Sequence, residues 1–208
     1  MPNLNILSQR YASDELNYIF SDLGKALYER ELWIAVLKTQ RDLGIDIPED
    51  AITLYEEAKE KIDLNLIKEI EEKTRHDIKA KIEAFNIAAG GGYELIHRTM
   101  TSRDLSDNVE QMQIKKACKI IFGKYVSVIR HFVERSKEYD SIIITARTHH
   151  QPAQPTLLGR KFAMWAEELY YALTEFENFI EAYPLRGMKG PVGTQFDILT
   201  LLGSVEKV

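Results

Sequence analysis

Apolar residues recur three or four positions apart along almost the whole chain, and the interruptions between these runs outline its elements. Residues 1–13 carry no such run and read as irregular. The first run passes through Leu23, Leu27, Arg30, Ile34 and Leu37 and stops at Gly44. Pro48 can open a second helix through Leu54, Tyr55, Ala58 and Ile62. Asn65 can cap a third bearing Leu66, Ile67 and Ile70, and Ile78, Ile82, Phe85 and Ala89 mark a fourth. Gly90-Gly91-Gly92 then breaks the pattern, since three glycines permit backbone angles that most residues avoid.

Beyond the glycines the scale changes. Thr101 with Asp104 has the spacing of a capping box, and apolar residues follow at Leu105, Val109, Met112, Cys118, Ile121, Tyr125, Ile129, Phe132 and Tyr139. They predict one helix of about 35 residues, about 50 Å long, which suits a long bundle shared between subunits. Ile142-Ile143-Ile144 reads as a buried extended segment rather than part of a sheet, because no second strand is evident. The next stretch, through Pro152 and Pro155, reads as a stiff polar loop, and Thr156 can start a second long helix through Leu158, Phe162, Trp165, Leu169, Leu173, Phe176 and Ile180. The expected fold is all-α. A small N-terminal helical domain, residues 1–98, precedes the first long helices of an incomplete central bundle, residues 99–208. The last apolar pattern, from Phe196 through Leu199 and Leu202, stops at Val208 without a stop signal, so the chain reads as cut.

Composition narrows the class. A hydrophobic content of 45% supports a core, and a net charge of -5 from 27 basic and 32 acidic side chains, interspersed, leaves no basic block for nucleic acid. No run approaches the roughly 20 apolar residues of a membrane span. The opening Met1-Pro2-Asn3-Leu4 lacks the pattern of a secretory signal. With a lone Cys118 unable to form an internal disulfide, a cytoplasmic location is expected.

Candidate chemistry gathers at the breaks between helices. His131 lies within the long helix with nothing polar organised around it, whereas His76, His97, His149 and His150 lie beside element boundaries. His76 and His97 read equally well as cap-region hydrogen bonders or as site residues, and Asp77 could fix the tautomer of His76. Zinc is excluded by spacing, and a serine hydrolase by the lack of a Gly-x-Ser-x-Gly elbow and of a strand to carry it. What remains is a set of histidines, small hydroxyls and cations suited to a polyanionic small molecule and a proton transfer: Arg10, Arg75, His76, His97, Thr101, Ser102, Arg147, His149, Lys189 and Gln195. Three evenly spaced glycines, Gly187, Gly190 and Gly193, could also curl the segment around Lys189 into a nest of backbone donors for an anion.

Five blocks in register resemble the adenylosuccinate lyase family of the fumarase and aspartase superfamily. They are Arg10-Tyr11, Thr74-Arg75-His76-Asp77, Thr101-Ser102-x-Asp104-x-x-Asp107-Asn108, Arg147-Thr148-His149-x-Gln151-Pro152-Ala153 and Lys189-Gly190-x-Val192-Gly193-Thr194-Gln195. The resemblance implies a homotetramer built on a central helical bundle, active sites shared between subunits, and no cofactor or metal. It implies elimination of fumarate from adenylosuccinate, giving AMP, and from the purine intermediate SAICAR, giving AICAR. His149 becomes the general acid, with His76 supporting the phosphate or the acid itself. Arg10 and Tyr11 would meet the nucleotide phosphate, and Thr101 and Ser102 a succinyl carboxylate at a helix N-terminus. Arg75, Asp77, His97, Gln151, Lys189 and Gln195 would complete the substrate shell. His150 stands where the family more often has glycine. The family's Ser-Ser-x-Met-Pro-x-Lys-x-Asn-Pro loop, whose serine is the general base, is absent, so the chain reads as an N-terminal fragment carrying the acid half of the machinery and inactive alone. The alternatives are another fumarate-releasing enzyme such as argininosuccinate lyase, or a non-catalytic helical oligomerisation module.

Overall fold

A computed structural model describes residues 5–207. The opening Met1-Pro2-Asn3-Leu4, whose sequence lacks a secretory pattern, and Val208, where the last apolar pattern stops, lie outside them. The order of elements is α1 (Ile6–Tyr11), α2 (Asp14–Ile19), α3 (Asp22–Asp42), α4 (Glu49–Ala58), α5 (Leu64–Thr74), α6 (Asp77–Ala88) and α7 (Ser102–Glu138). Then come β1 (Ile143–Thr148), β2 (Gln151–Leu157), α8 (Leu158–Ala182), α9 (Phe196–Leu202) and a 3-10 turn at Val205–Lys207. The fold is therefore all-α, with one small hairpin.

Polar side chains start the short helices. Asn5 accepts hydrogen bonds from the N–H groups of Leu7 and Ser8, so the stretch expected to be irregular holds a six-residue helix. Ser13 and Ser21 do the same for α2 and α3. Asp63, not Asn65, caps α5. Its carboxylate accepts from Asn65 and Leu66, which satisfies donors that the apolar pattern alone does not locate.

The described residues fall into two compact units. One comprises the chain up to Ile114 together with the segment from Pro184 onward; the other is Lys115–Tyr183. In the first, Trp33, Ile34 and Leu37 of α3 pack with Ile52 and Tyr55 of α4, Ile78 and Phe85 of α6, and Leu105 and Val109 of α7. A second cluster sets Ile67 and Ile70 of α5 against Ala80 and Ala84 of α6, where the small side chains let two helices approach closely. Arg30 occupies an apolar position of α3 because its guanidinium donates to the carbonyls of Ala58, Lys59 and Lys61, at and just beyond the end of α4, and lies 4.4 Å over the ring of Phe85. Burial pulls its pKa down to about 10, against the neighbouring charge of Glu29.

In the second unit α7 and α8 run antiparallel, pairing Phe132 with Trp165 and Tyr139 with Phe162. The segment between them corrects the expectation of a buried extended run and a loop. β1 and β2 form an antiparallel hairpin, from Ile143 opposite Leu157 to Thr148 opposite Gln151, with a bulge between Thr145 and Arg147. Ile143 is 73% exposed. Prolines at 152 and 155 are compatible with β2 because both strands of a two-stranded sheet are edges, where a missing N–H removes no partner. Thr156, expected to start the second long helix, lies within β2, which ends at Leu157, and α8 begins at Leu158.

Candidate active site

Among the described residues, six that are not glycine hold a left-handed backbone, Arg75, His97, Thr99, His149, His150 and Gln195, with φ between 47° and 64°. An L-residue enters that region at a cost of about 1–2 kcal/mol, so the surrounding contacts must hold it there. Four of the six are the candidate residues Arg75, His97, His149 and Gln195; His150 adjoins His149, and Thr99 lies two residues from both His97 and Thr101. This strain is invisible in the sequence.

His149 and His150 are the two central residues of the hairpin turn, at φ 47° and 64°. Positive φ at both positions matches the twist of the flanking strands. Arg147 donates from Nη1 to the His150 carbonyl at 3.0 Å and braces the turn. The His149 imidazole is exposed and has no hydrogen-bond partner among the described residues, so both ring nitrogens are available to a ligand. Gln151 opens β2 opposite Thr148, directly after the turn.

The remaining candidates belong to the first unit. His76 is the N-cap of α6: its Nδ1 accepts the N–H of Lys79 at 3.2 Å. A nitrogen that accepts carries no proton, so the neutral ring is protonated at Nε2. Asp77, expected to fix that tautomer, approaches Nδ1 only to 3.7 Å, and the backbone donor does so instead. Arg75 ends α5 at φ 54° and turns the chain into α6. His97 shows the same arrangement, its Nδ1 accepting the indole N–H of Trp33 at 3.0 Å. Burial holds the His97 pKa below its ordinary value, outweighing the opposite pull of the Asp104 charge, so the ring is neutral and presents an Nε2 donor. Arg10 and Tyr11 end α1, the guanidinium 5.9 Å from the Tyr11 ring and the ring three-quarters exposed. Thr101 and Ser102 stand at the start of α7, beside an open cleft lined by Arg98, Thr99, Met100, Phe196, Asp197 and Thr200.

Asp104 is the group that sequence reasoning undervalued. Wholly buried, its carboxylate accepts backbone N–H groups from Thr101 at 3.1 Å, Lys189 at 2.9 Å and Gly190 at 2.9 Å, and pairs with the Arg186 guanidinium. Burial alone would raise its pKa; the three donors and the arginine outweigh that and hold it low. The nest expected around Lys189 does hold an anion, and the anion is this side chain. One turn on, Asn108 exchanges two bonds with the Gly187 backbone, at 2.9 and 3.0 Å, and Gln111 accepts the N–H of Arg186. Polar residues at 104, 108 and 111, on one face of an otherwise apolar pattern, were the available signal. Lys189 and Gln195 are brought together, since Gln195 donates from its backbone to the Lys189 carbonyl and from its side chain to Met188, both at 3.0 Å.

With that geometry in place, comparison with known proteins defines the class: a family profile described as Lyase matches residues 23–199, and the chain belongs to that family. It is 34% identical to adenylosuccinate lyase of Schistosoma mansoni over 98% of its own length, and 34% identical to that of Saccharomyces cerevisiae over 97%. The Bacillus subtilis adenylosuccinate lyase is 30% identical over 91%. The chain spans 43%, 43% and 44% of these relatives. Among solved structures, beta-carboxy-cis,cis-muconate cycloisomerase from Acinetobacter calcoaceticus superposes with a TM-score of 0.80 at 20% identity, covering 98% of this chain and 49% of the other. A fumarate lyase from Mesorhizobium gives 0.78 at 23%, covering 92% and 45%. At that identity the likeness shows the fold alone.

Proposed function

We propose that this chain supplies the acid half of an adenylosuccinate lyase active site, releasing fumarate from adenylosuccinate and from SAICAR in purine biosynthesis in the cytoplasm. The observation that carries the reading is the identity of 30–34% to adenylosuccinate lyases along nearly all of the chain. The backbone supports it, because the candidate residues Arg75, His97, His149 and Gln195 are held in strained left-handed geometry. In the elimination a base removes a proton beside a succinyl carboxylate, the electron pair forms the fumarate double bond, and the C–N bond breaks as its nitrogen takes a proton. His149, exposed at a braced turn with both nitrogens available, is the donor of that proton. Thr101 and Ser102, at the start of α7, hold a carboxylate. His76, Arg10 and Tyr11 take the phosphate side, while Arg75, Asp77, His97, Gln151, Lys189 and Gln195 complete the shell around the developing carbanion. Metals and cofactors have no step to perform.

Sites shared between copies of a homotetramer complete the arrangement, and the base comes from sequence outside this chain. The test is fumarate release by the full-length gene product from adenylosuccinate, SAICAR and argininosuccinate. The two purine substrates are expected to turn over, and His149→Ala to lower kcat by roughly 10²- to 10⁴-fold. Turnover of argininosuccinate alone, or an unchanged rate in the variant, would overturn the reading.

A further inference from the structure

One carboxylate joins two candidate substrate-binding segments. Asp104 Oδ2 accepts the N–H of Thr101 and the N–H of Gly190, while Oδ1 accepts the N–H of Lys189, so the residue that begins α7 and the segment bearing Lys189 are fixed to the same side chain. Asn108 and Gln111 extend the attachment along α7 to Gly187 and Arg186. The segment contains few other restraints: Gly187, Gly190 and Gly193 all sit at positive φ, and no atom lies within 4 Å of where a side chain would begin at any of them. A glycine-rich segment without side-chain packing at those positions takes its position from the groups that bond its backbone, the buried Asp104 carboxylate first among them. Gln195 inherits the position through its bonds to Lys189 and Met188.

We propose that Asp104 and Asn108 are positioning residues for the reaction, setting the separation between the Thr101-Ser102 pair and the Lys189–Gln195 segment without touching substrate. The proposal rests on the lyase reading above. It deepens that reading by explaining why buried polar residues interrupt the apolar face of α7: they trade hydrophobic burial for a fixed distance between two groups that must meet one ligand.

The experiment uses the full-length protein and its Asp104→Asn, Asn108→Ala, Lys189→Ala and Asp104→Asn/Lys189→Ala variants, each assayed well below its melting temperature. Asp104→Asn keeps the shape and one acceptor but loses the charge, and it remains informative where removal of the whole side chain prevents folding. Deuterium exchange in peptides covering 184–195 is expected to quicken in Asp104→Asn and Asn108→Ala. Fumarate release from adenylosuccinate is expected to fall by up to about 10²-fold in kcat/KM, the scale of a misplacement near 1 Å. The double variant should lose less than the product of the two single losses, because a misplaced lysine cannot be lost twice. Multiplicative losses in the double variant, or wild-type kcat/KM in Asp104→Asn, would overturn the positioning role. Absence of turnover by the wild-type protein would instead remove the lyase reading, and the attachment itself would then stand or fall on exchange alone.

Discussion

At the scale of single residues, backbone strain and the buried imidazole of His97 define the site more sharply than side-chain identity does. His150 takes a left-handed conformation at φ 64°, makes no side-chain hydrogen bond among the described residues, and contributes only its carbonyl to Arg147. Glycine adopts that backbone without a Cβ penalty, so His150→Gly is expected to stabilise the fold by about 1 kcal/mol, read as a raised denaturation midpoint. His97 yields a pH prediction. Burial keeps the folded ring's pKa under the ordinary 6.5, so the unfolded chain binds a proton first, and stability falls as pH drops below about 6.5 until the folded ring protonates as well. Thermal melts from about pH 8 to about pH 5 should show this decline in the wild type and lose it in His97→Asn, which keeps an acceptor for Trp33 and tolerates positive φ. Asp104 acts in a lower window. Its depressed pKa gives stability that is complete above the ordinary 3.8 and disappears as pH falls through the lower folded value.

At the scale of elements, the long helices were legible and their junctions were not. The apolar spacing from Leu105 to Tyr139 marks α7, which runs Ser102–Glu138, because a helix with a buried stripe repeats its signal over many turns. The hairpin left no comparable trace: β2 carries two prolines and mostly exposed residues, and only its pairing with β1 makes it a strand. Likewise the chemical types at His76, His97 and Lys189 could be read from the sequence, but not the Lys79 amide, the Trp33 indole or the Asp104 carboxylate that hold them, since each contact is chosen by folding. Gly159 is another junction that periodicity passes over. A Cβ there would lie 2.4 Å from the Ser136 carbonyl oxygen and 2.8 Å from the backbone of Asp140, where α8 begins against the end of α7. Its own N–H donates to the Tyr139 carbonyl at 2.8 Å, so the backbone cannot simply withdraw. Gly159→Ala is therefore expected to cost about 1–3 kcal/mol, with the loss measured in denaturant and the α7–α8 aromatic contacts monitored by Trp165 fluorescence.

At the scale of the whole molecule, the question is what covers the long helices. On α8, Trp165, Tyr170, Tyr171 and Phe179 are all 45–63% exposed, and on α7 Ile121, Val128 and Val133 are 41–46% exposed. Isolated exposed apolar residues are ordinary, but two adjacent helices carrying these together present a surface of the kind that other protein covers. No helix of the described residues is long and apolar enough to cross a membrane. Symmetric association uses each patch twice, so burial of these four aromatic side chains, each worth about 1.5–3 kcal/mol when fully buried, would work against the cost of bringing two copies together. The 24.0 kDa chain is thus expected to sediment as an oligomer at micromolar concentration. Tyr171→Lys combined with Phe179→Lys should shift it toward monomer while leaving its helical circular dichroism in place, because neither residue belongs to either buried core cluster. A wild-type chain that remains monomeric at that concentration would show that this surface needs a segment other than its own copy to cover it.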